Sequence, residues 1–248
     1  MATKKVLIVY AHQSTGSFNA AAKDAAVEVL AGHHRRSQQC RSLPLCRGDQ
    51  TGMGGRKTAD ITEEQRKLTE VDLIIFQFPM YWFTVPAIMK GWIDRVLTLG
   101  YAYSQEKRYS QGIFNDKKAM LSFTTGCHES MLGADGINGD MNVTLWPLQI
   151  GILHYCGFQV LAPQIFWAPP HIPSEERSTM LEGWHTRLQG VLCEKPLSFT
   201  PMDCFDGEKG FQLKPEVHEK NATKEYGLTV GTHLGKAPPP NKQMKAGV

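Results

Sequence analysis

Three short stretches combine side chains that could hold and act on a ligand. The first, Tyr10-Ala-His-Gln-Ser-Thr-Gly-Ser-Phe-Asn19, joins a strand-like run to a helix-like one. Its hydroxyls at Ser14, Thr15 and Ser17, with the free N–H groups of a helix start, suit a phosphate; the alternative is an ordinary capped turn. The second, Phe78-Pro-Met-Tyr-Trp-Phe-Thr-Val-Pro86, places Tyr81, Trp82 and Phe83 side by side between a strand and a helix. Loop aromatics there can flank a flat ring by stacking, or can simply pack beneath the loop. The third runs from Thr124-Thr-Gly-Cys127 to Gly133–Asp140. Its backbone N–H groups could donate to ring carbonyls or ring nitrogens; otherwise it is a plain flexible loop.

Other signatures fail on inspection. No GxGxxG follows the first strand, so a nicotinamide Rossmann site has no support. Gly52–Thr58 lacks the order of a P-loop and a strand before it. His33, His34, Cys40 and Cys46 match no zinc spacing, and no metal site is expected. Neither a Ser-His-Asp set nor a carboxylate pair stands out. Asn142-Val-Thr144 and Asn221-Ala-Thr223 fit the glycosylation pattern, but nothing suggests secretion.

The elements that must position these loops are legible in the apolar pattern. Val6–Tyr10, Val71–Phe78, Lys118–Thr124 and Phe158–Phe166 read as buried strands. Between them lie helix-like stretches. Phe18–Leu30 is closed by Gly32, Thr62-Glu-Glu-Gln65 is a capping box, and Pro86 opens a helix carrying Ile88, Trp92 and Val96 on one face. Met141–Tyr155 carries a kink at Pro147 and a stop at Gly157; the last helix follows Ser174. Alternating strands and helices predict an α/β doubly wound parallel sheet, with ligands outside the carboxyl ends of its strands. The three loops sit at those ends.

Composition narrows the class. The chain has 248 residues, 42% hydrophobic and 21% charged, with a net charge of +3. That suits one α/β domain with an appendage and no bulk nucleic-acid binding. Six scattered cysteines fit reduced thiols of the cytosol rather than a disulfide framework. Val6–Tyr10 is too short for a signal-peptide core, and the uncharged stretch Leu73–Met89 is broken by Gln77, Pro79 and Pro86, so no membrane span is expected. Residues 33–57 stand apart, holding Arg35, Arg36, Arg41, Arg47, Arg56 and Lys57 against Asp49 alone, with few apolar residues. Residues 1–194 are read as the main domain and 195–248 as a C-terminal extension.

Taken together, KKVLIVYAHQ, SFN, DLIIFQFPMYWFTVPAIMKGWIDRV, LSFTTG, GINGDMN, LWPLQIGILHYCGFQVLAPQ and LEGW resemble the NAD(P)H:quinone oxidoreductase family. The tail YGLTVGTHLGK resembles the extension of its longer members. The resemblance implies a flavodoxin-like fold and a homodimer with its site at the subunit boundary. It also implies bound FAD and a ping-pong transfer of two electrons from NADH or NADPH to a quinone. By position, His12, Ser17, Phe18 and Asn19 would hold the pyrophosphate and adenosine side. Met80, Tyr81, Trp82 and Phe83 would line the isoalloxazine. Thr124, Thr125, Gly126 and Cys127 would meet its polar edge, and Arg177 would assist. Asn138, Tyr103 and His171 would take the catalytic positions, and Tyr103, Phe158 and His171 would wall the substrate pocket.

The departures from that pattern are specific. Cys127 replaces a glycine, Leu132 a catalytic tyrosine and Gln105 a pocket tyrosine. Asn138 stands where the longer members have histidine, and Ile150 replaces a zinc-site histidine of the shorter ones. Leu132 implies slowed hydride transfer. The alternatives are a catalytically weak flavin-binding dimer acting through protein partners, or a reductase using dihydronicotinamide riboside. Residues 33–57 replace the family's second strand and a loop reaching the adenine. The expectation is a missing edge strand, an exposed first strand, loosely held FAD and early proteolysis within Arg35–Lys57.

Overall fold

The computed structural model describes residues 4–33, 37–40, 58–133 and 135–221. Its centre is a parallel sheet in the order β2-β1-β3-β4-β5. The strands are β1 (Val6–Tyr10), β2 (Ser37–Cys40), β3 (Leu73–Pro79), β4 (Lys118–Thr125) and β5 (Gln159–Val160). β6 (Gln164–Trp167) also pairs with β4. The fifth position is thus one strand in two pieces, β5 beside Lys118 and Ala119 and β6 beside Ser122 to Thr125. Pro163 lies in the break, where it cannot donate to a ladder. The single strand expected over Phe158–Phe166 is corrected accordingly.

The edge strand expected to be missing is present. β2 pairs in parallel with β1, Val6 with Ser37 through Val9 with Cys40. An edge ladder is made of backbone groups, so Ser-Gln-Gln-Cys can supply it without an apolar signature. β1 is therefore not exposed as an edge. The remainder of 33–57, including most of the arginine-bearing stretch, lies outside the described residues.

Helices α1 (Phe18–His33) and α5 (Ser174–Gly190) cover one face of the sheet; α2 (Ala59–Glu70), α3 (Ala87–Val96) and α4 (Met141–Leu148) belong to the crossovers on the other. Strand alternation sends Val6, Ile8, Leu73, Ile75 and Met120 toward α1 and α5, where they meet Ala22, Ala26, Trp184 and Leu188. The Trp184 indole N–H donates to the Ala22 carbonyl at 3.0 Å, tying the two helices together. On the opposite face Phe76 meets Trp92 edge to face at 5.8 Å. The Trp92 indole donates to the buried Glu64 carboxylate at 2.9 Å, which also takes Lys67 at 2.7 Å.

Two helix boundaries differ from expectation. α2 begins at Ala59, so Thr62 lies inside it and its hydroxyl donates back to the Thr58 carbonyl at 3.2 Å. α4 ends at Leu148 and continues as a π-helical segment, Gln149–His154. Pro147, which has no N–H to give the turn before it, precedes that widening. Gly157, at φ +100°, then turns the chain; a Cβ on it would lie 2.6 Å from the Gly112 backbone, so this crossing admits glycine only.

The chain divides into two compact units, Met1–Leu197 and Ser198–Val248. The second contains the antiparallel pair β7 (Phe205–Asp206) and β8 (Gln212–Leu213), then α6 (Pro215–Asn221). Among the described residues, no helix is long and apolar enough to cross a membrane.

Two stability measurements follow. Trp184→Ala removes a fully buried ring and is expected to cost about 3–5 kcal/mol in urea unfolding. Burial pushes the His154 imidazole down to about 4 from its ordinary 6.5. Between those values the unfolded chain binds a proton that the native chain refuses, so stability falls as pH drops through that window. His154→Gln should flatten the dependence of melting temperature on pH between 7 and 4.

Candidate active site

The loops leaving β1, β3, β4 and β6 emerge at one edge of the sheet, as parallel strands require. In the β1 loop, His12 accepts the Ser14 N–H on Nδ1 at 2.9 Å, which leaves Nε2 to carry the proton outward. Ser17 caps α1: its Oγ accepts from the Ala20 N–H at 3.1 Å and donates to the Ser14 carbonyl at 2.9 Å. The first-turn N–H groups of Phe18 and Asn19 therefore face the loop, a setting that favours an anion. The Phe18 ring itself turns inward onto Phe166, at 5.2 Å.

The β3 loop is a closed turn. Tyr81 and Thr84 exchange both backbone hydrogen bonds at 3.0 Å. Between them Trp82 (φ +50°) and Phe83 (φ +60°) are left-handed, a costly state for bulky residues. The three rings do not pack beneath the loop. Trp82 is 94% exposed, Tyr81 48% and Phe83 47%. Met80, just before the turn, donates its N–H to the Thr124 carbonyl at 2.8 Å and so ties this loop to β4.

In the β4 loop, Thr125 Oγ1 accepts the Cys127 N–H at 3.1 Å, and Gly126 between them is exposed. Asn138 donates from Nδ2 to the Cys127 sulfur at 3.3 Å, so two of the family departures touch each other. Leu132 is buried, and its side chain has no hydrogen-bonding group. Asp140 ends the loop as the cap of α4, accepting the Asn142 N–H at 2.8 Å. The β6 loop holds the exposed His171. Arg177 braces it, donating from Nη1 to the Ile172 carbonyl at 2.9 Å, and the Ala168 N–H donates to the Thr125 carbonyl at 2.9 Å.

Three expected site residues stand elsewhere. The Asn19 side chain is 3% exposed and engaged inside the protein: Nδ2 donates to Thr124 Oγ1 at 2.8 Å and Oδ1 accepts from Gln77 Nε2 at 2.9 Å. Only its backbone can meet a ligand. Phe158 is corrected as a pocket residue: it is buried against Phe114 at 4.8 Å, just before β5 begins beside Lys118. That is the amino end of the sheet. Tyr103 lies there too, edge-on to Tyr155 at 5.3 Å, while Tyr155 meets Tyr109 at 5.1 Å. Within one protomer these rings are at the opposite end from Trp82. Sequence reading missed Tyr155, and it missed Gln77 and Ser122, which are polar residues inside fully buried strands; that burial was their available signal.

A parallel sheet in this order, with its loops gathered beside a helix N-terminus, defines a flavodoxin-like protein. A family model described as a flavodoxin-like fold matches residues 4–188. Over 99% of both chains the sequence is 46% identical to "NAD(P)H dehydrogenase [quinone] 1" of Rattus norvegicus. It is 44% identical to "Ribosyldihydronicotinamide dehydrogenase [quinone]" of the same organism, over 84% of this chain and 100% of that one. A putative quinone reductase from Klebsiella pneumoniae superposes with a TM-score of 0.77 at 32% identity, covering 94% of this chain and all of that one. The chain belongs to the flavodoxin-like NAD(P)H:quinone oxidoreductase family.

The β3 turn gives a direct test of how strain and site are related. Trp82→Gly loses almost no packing, because the ring is exposed, and relieves a left-handed backbone. It is expected to stabilise the unliganded chain by about 1 kcal/mol in urea titration.

Proposed function

We propose that the protein catalyses two-electron reduction of quinones by NADH or NADPH, with FAD as its bound cofactor. The observation that carries this is the trio Tyr81, Trp82 and Phe83, held outward on a locked turn beside the α1 N-terminus. Exposed aromatic surface on a strained turn suits a flat ring, and the adjacent helix start suits a pyrophosphate. The residues therefore fit FAD. When bound, it supplies the hydride acceptor and donor for the cycle.

The protein's own groups bind, orient and polarise. The first-turn N–H groups of α1 and the His12 imidazole would hold the pyrophosphate. The turn aromatics would stack and exclude water, while Thr124 and the Gly126 backbone would meet the polar edge. Arg177 braces the His171 loop through the Ile172 carbonyl, and the Ala168 N–H ties that loop to β4 at the Thr125 carbonyl. A homodimer fits the same picture. Tyr103 and Tyr155 can wall a pocket over Trp82 only if a second copy brings its amino end to this edge. The cytosol is the compartment we assign.

Full-length likeness to the dinucleotide-using relative favours NADH and NADPH; Asn138 and Tyr81 favour the riboside, the second reading. Leu132 offers no donor to developing charge, a loss that typically costs about 3 kcal/mol, roughly two decades in rate. Menadione reduction should proceed with either dinucleotide once FAD is added, with slow bleaching of the flavin band in stopped flow. A folded, yellow dimer without turnover would overturn the enzyme reading and favour a flavin-binding protein acting through partners. A much higher kcat/KM for dihydronicotinamide riboside than for NADH would reassign the donor.

A further inference from the structure

Beneath the site runs a chain of four buried polar side chains. Ser122 Oγ donates to Gln77 Oε1 at 2.7 Å. Gln77 Nε2 donates to Asn19 Oδ1 at 2.9 Å, and Asn19 Nδ2 donates to Thr124 Oγ1 at 2.8 Å. The donors follow one sequence: Ser122 gives across the sheet to its register partner Gln77, Gln77 gives to Asn19, and Asn19 gives to Thr124, two residues nearer the carboxyl edge than Ser122. Thr124 is the member nearest the surface, and its backbone carbonyl takes the Met80 N–H beside the aromatic turn.

The placement argues against a mere clamp. Elsewhere on the same sheet face Leu73, Ile75 and Met120 pack apolar surface against the helices. Polarity begins only where β3 and β4 near their ends. Apolar side chains of similar shape could fill that space at little cost or some gain, so stability alone does not call for such a chain. Its chemical consequence is at Thr124. A hydroxyl has one hydrogen and two lone pairs. With Asn19 donating into one lone pair from below, the hydrogen is left to point elsewhere.

We propose that Ser122, Gln77 and Asn19 are positioning residues that fix the Thr124 hydroxyl as an outward hydrogen-bond donor to the polar edge of the bound flavin ring. This rests on the reading of the site as an FAD site. The relay has a direction: the interior serine starts it, two amides pass it on, and the hydroxyl at the site presents the last hydrogen. Without the relay the hydroxyl turns between donating inward and outward, and binding loses the advantage of a donor already in place.

The test is a cycle of FAD dissociation constants, measured on apoprotein by quenching of flavin fluorescence, with far-ultraviolet circular dichroism as the check on folding. Thr124→Ser keeps the hydroxyl and should bind within about twofold of the parent, as one retained hydrogen bond requires. Thr124→Val should lose about tenfold. Asn19→Leu should lose several-fold in the parent but almost nothing further when combined with Thr124→Val. Should Asn19→Leu fail to fold, Ser122→Ala enters the same cycle, with a smaller loss that also vanishes beside Thr124→Val. The visible band of bound flavin should shift in Thr124→Val and return in Thr124→Ser. Losses that simply add, or a serine as weak as the valine, overturn the relay while leaving the FAD site intact. A parent protein that binds no FAD overturns both.

Discussion

In a parallel sheet all strands end at one edge, and the rest of this molecule follows from that constraint. Each strand here returns by a helix, so the loops after β1, β3, β4 and β6 share one edge. The segments that lead into the strands share the other. Residues far apart in sequence, such as Asn19 and Thr124, are thereby brought within a hydrogen bond. Residues near in sequence are driven apart by the same rule. Trp82 and Tyr103 are joined by one helix, α3, and stand at opposite ends because that helix runs the length of the sheet. A pocket built from both needs two chains, and this follows from topology rather than from any feature of the two rings.

The constraint also explains why strain collects where it does. The sheet and its helices bury Leu7, Ile8, Ile74, Phe76 and Phe123 almost completely and leave little freedom in the core. Freedom remains in the loops at the carboxyl edge. There the backbone of Trp82 and Phe83 adopts a left-handed turn and carries its rings into solvent, a double cost for an unliganded chain. A fixed turn offers what a flexible loop does not. The backbone of the turn has little further freedom to lose on meeting a flat ligand, so the strain serves as preorganisation. Polar groups at this edge obey the same economy: His12, Ser14 and Ser17 bond to one another, so the loop is shaped before any anion arrives.

Much of this was legible in the sequence, for reasons that differ by element. The central strands were plain because burial on both faces writes an unbroken apolar run, as in Leu73–Phe78. β2 was illegible because an edge ladder asks only for backbone groups, and Ser-Gln-Gln-Cys gives no pattern. The break between β5 and β6 was marked by Pro163, but an apolar run on both sides concealed it. For the site, residue types identified the loops but not the direction of each side chain. Asn19 carries the right chemistry in the right loop, yet the turn of α1 aims it inward. Phe158 and Tyr155 are three residues apart, and only the packing after the π-helical segment decides which ring is buried against Phe114 and which meets Tyr103.

The departures at the β4 loop change how charge on a reduced ring can be met. Leu132 is buried and offers no hydrogen bond, and the Asn138 amide is neutral and already donates to the Cys127 sulfur. Neither an amide nor an aliphatic chain changes charge between pH 5 and 8, whereas histidine does. The Cys127 N–H is engaged as well, donating to Thr125 Oγ1. Gly126 presents an exposed backbone at this edge, and the Asn138 amide keeps a second N–H beside the one given to Cys127. Fixed dipoles act without reorganising when charge develops, and they do not titrate. On the proposed relay, the Thr124 donor at this edge is set by the buried interior and not by a group that gains or loses a proton. The buried polar side chains between β3, β4 and α1 lie one layer below the positions at which the family pattern is broken.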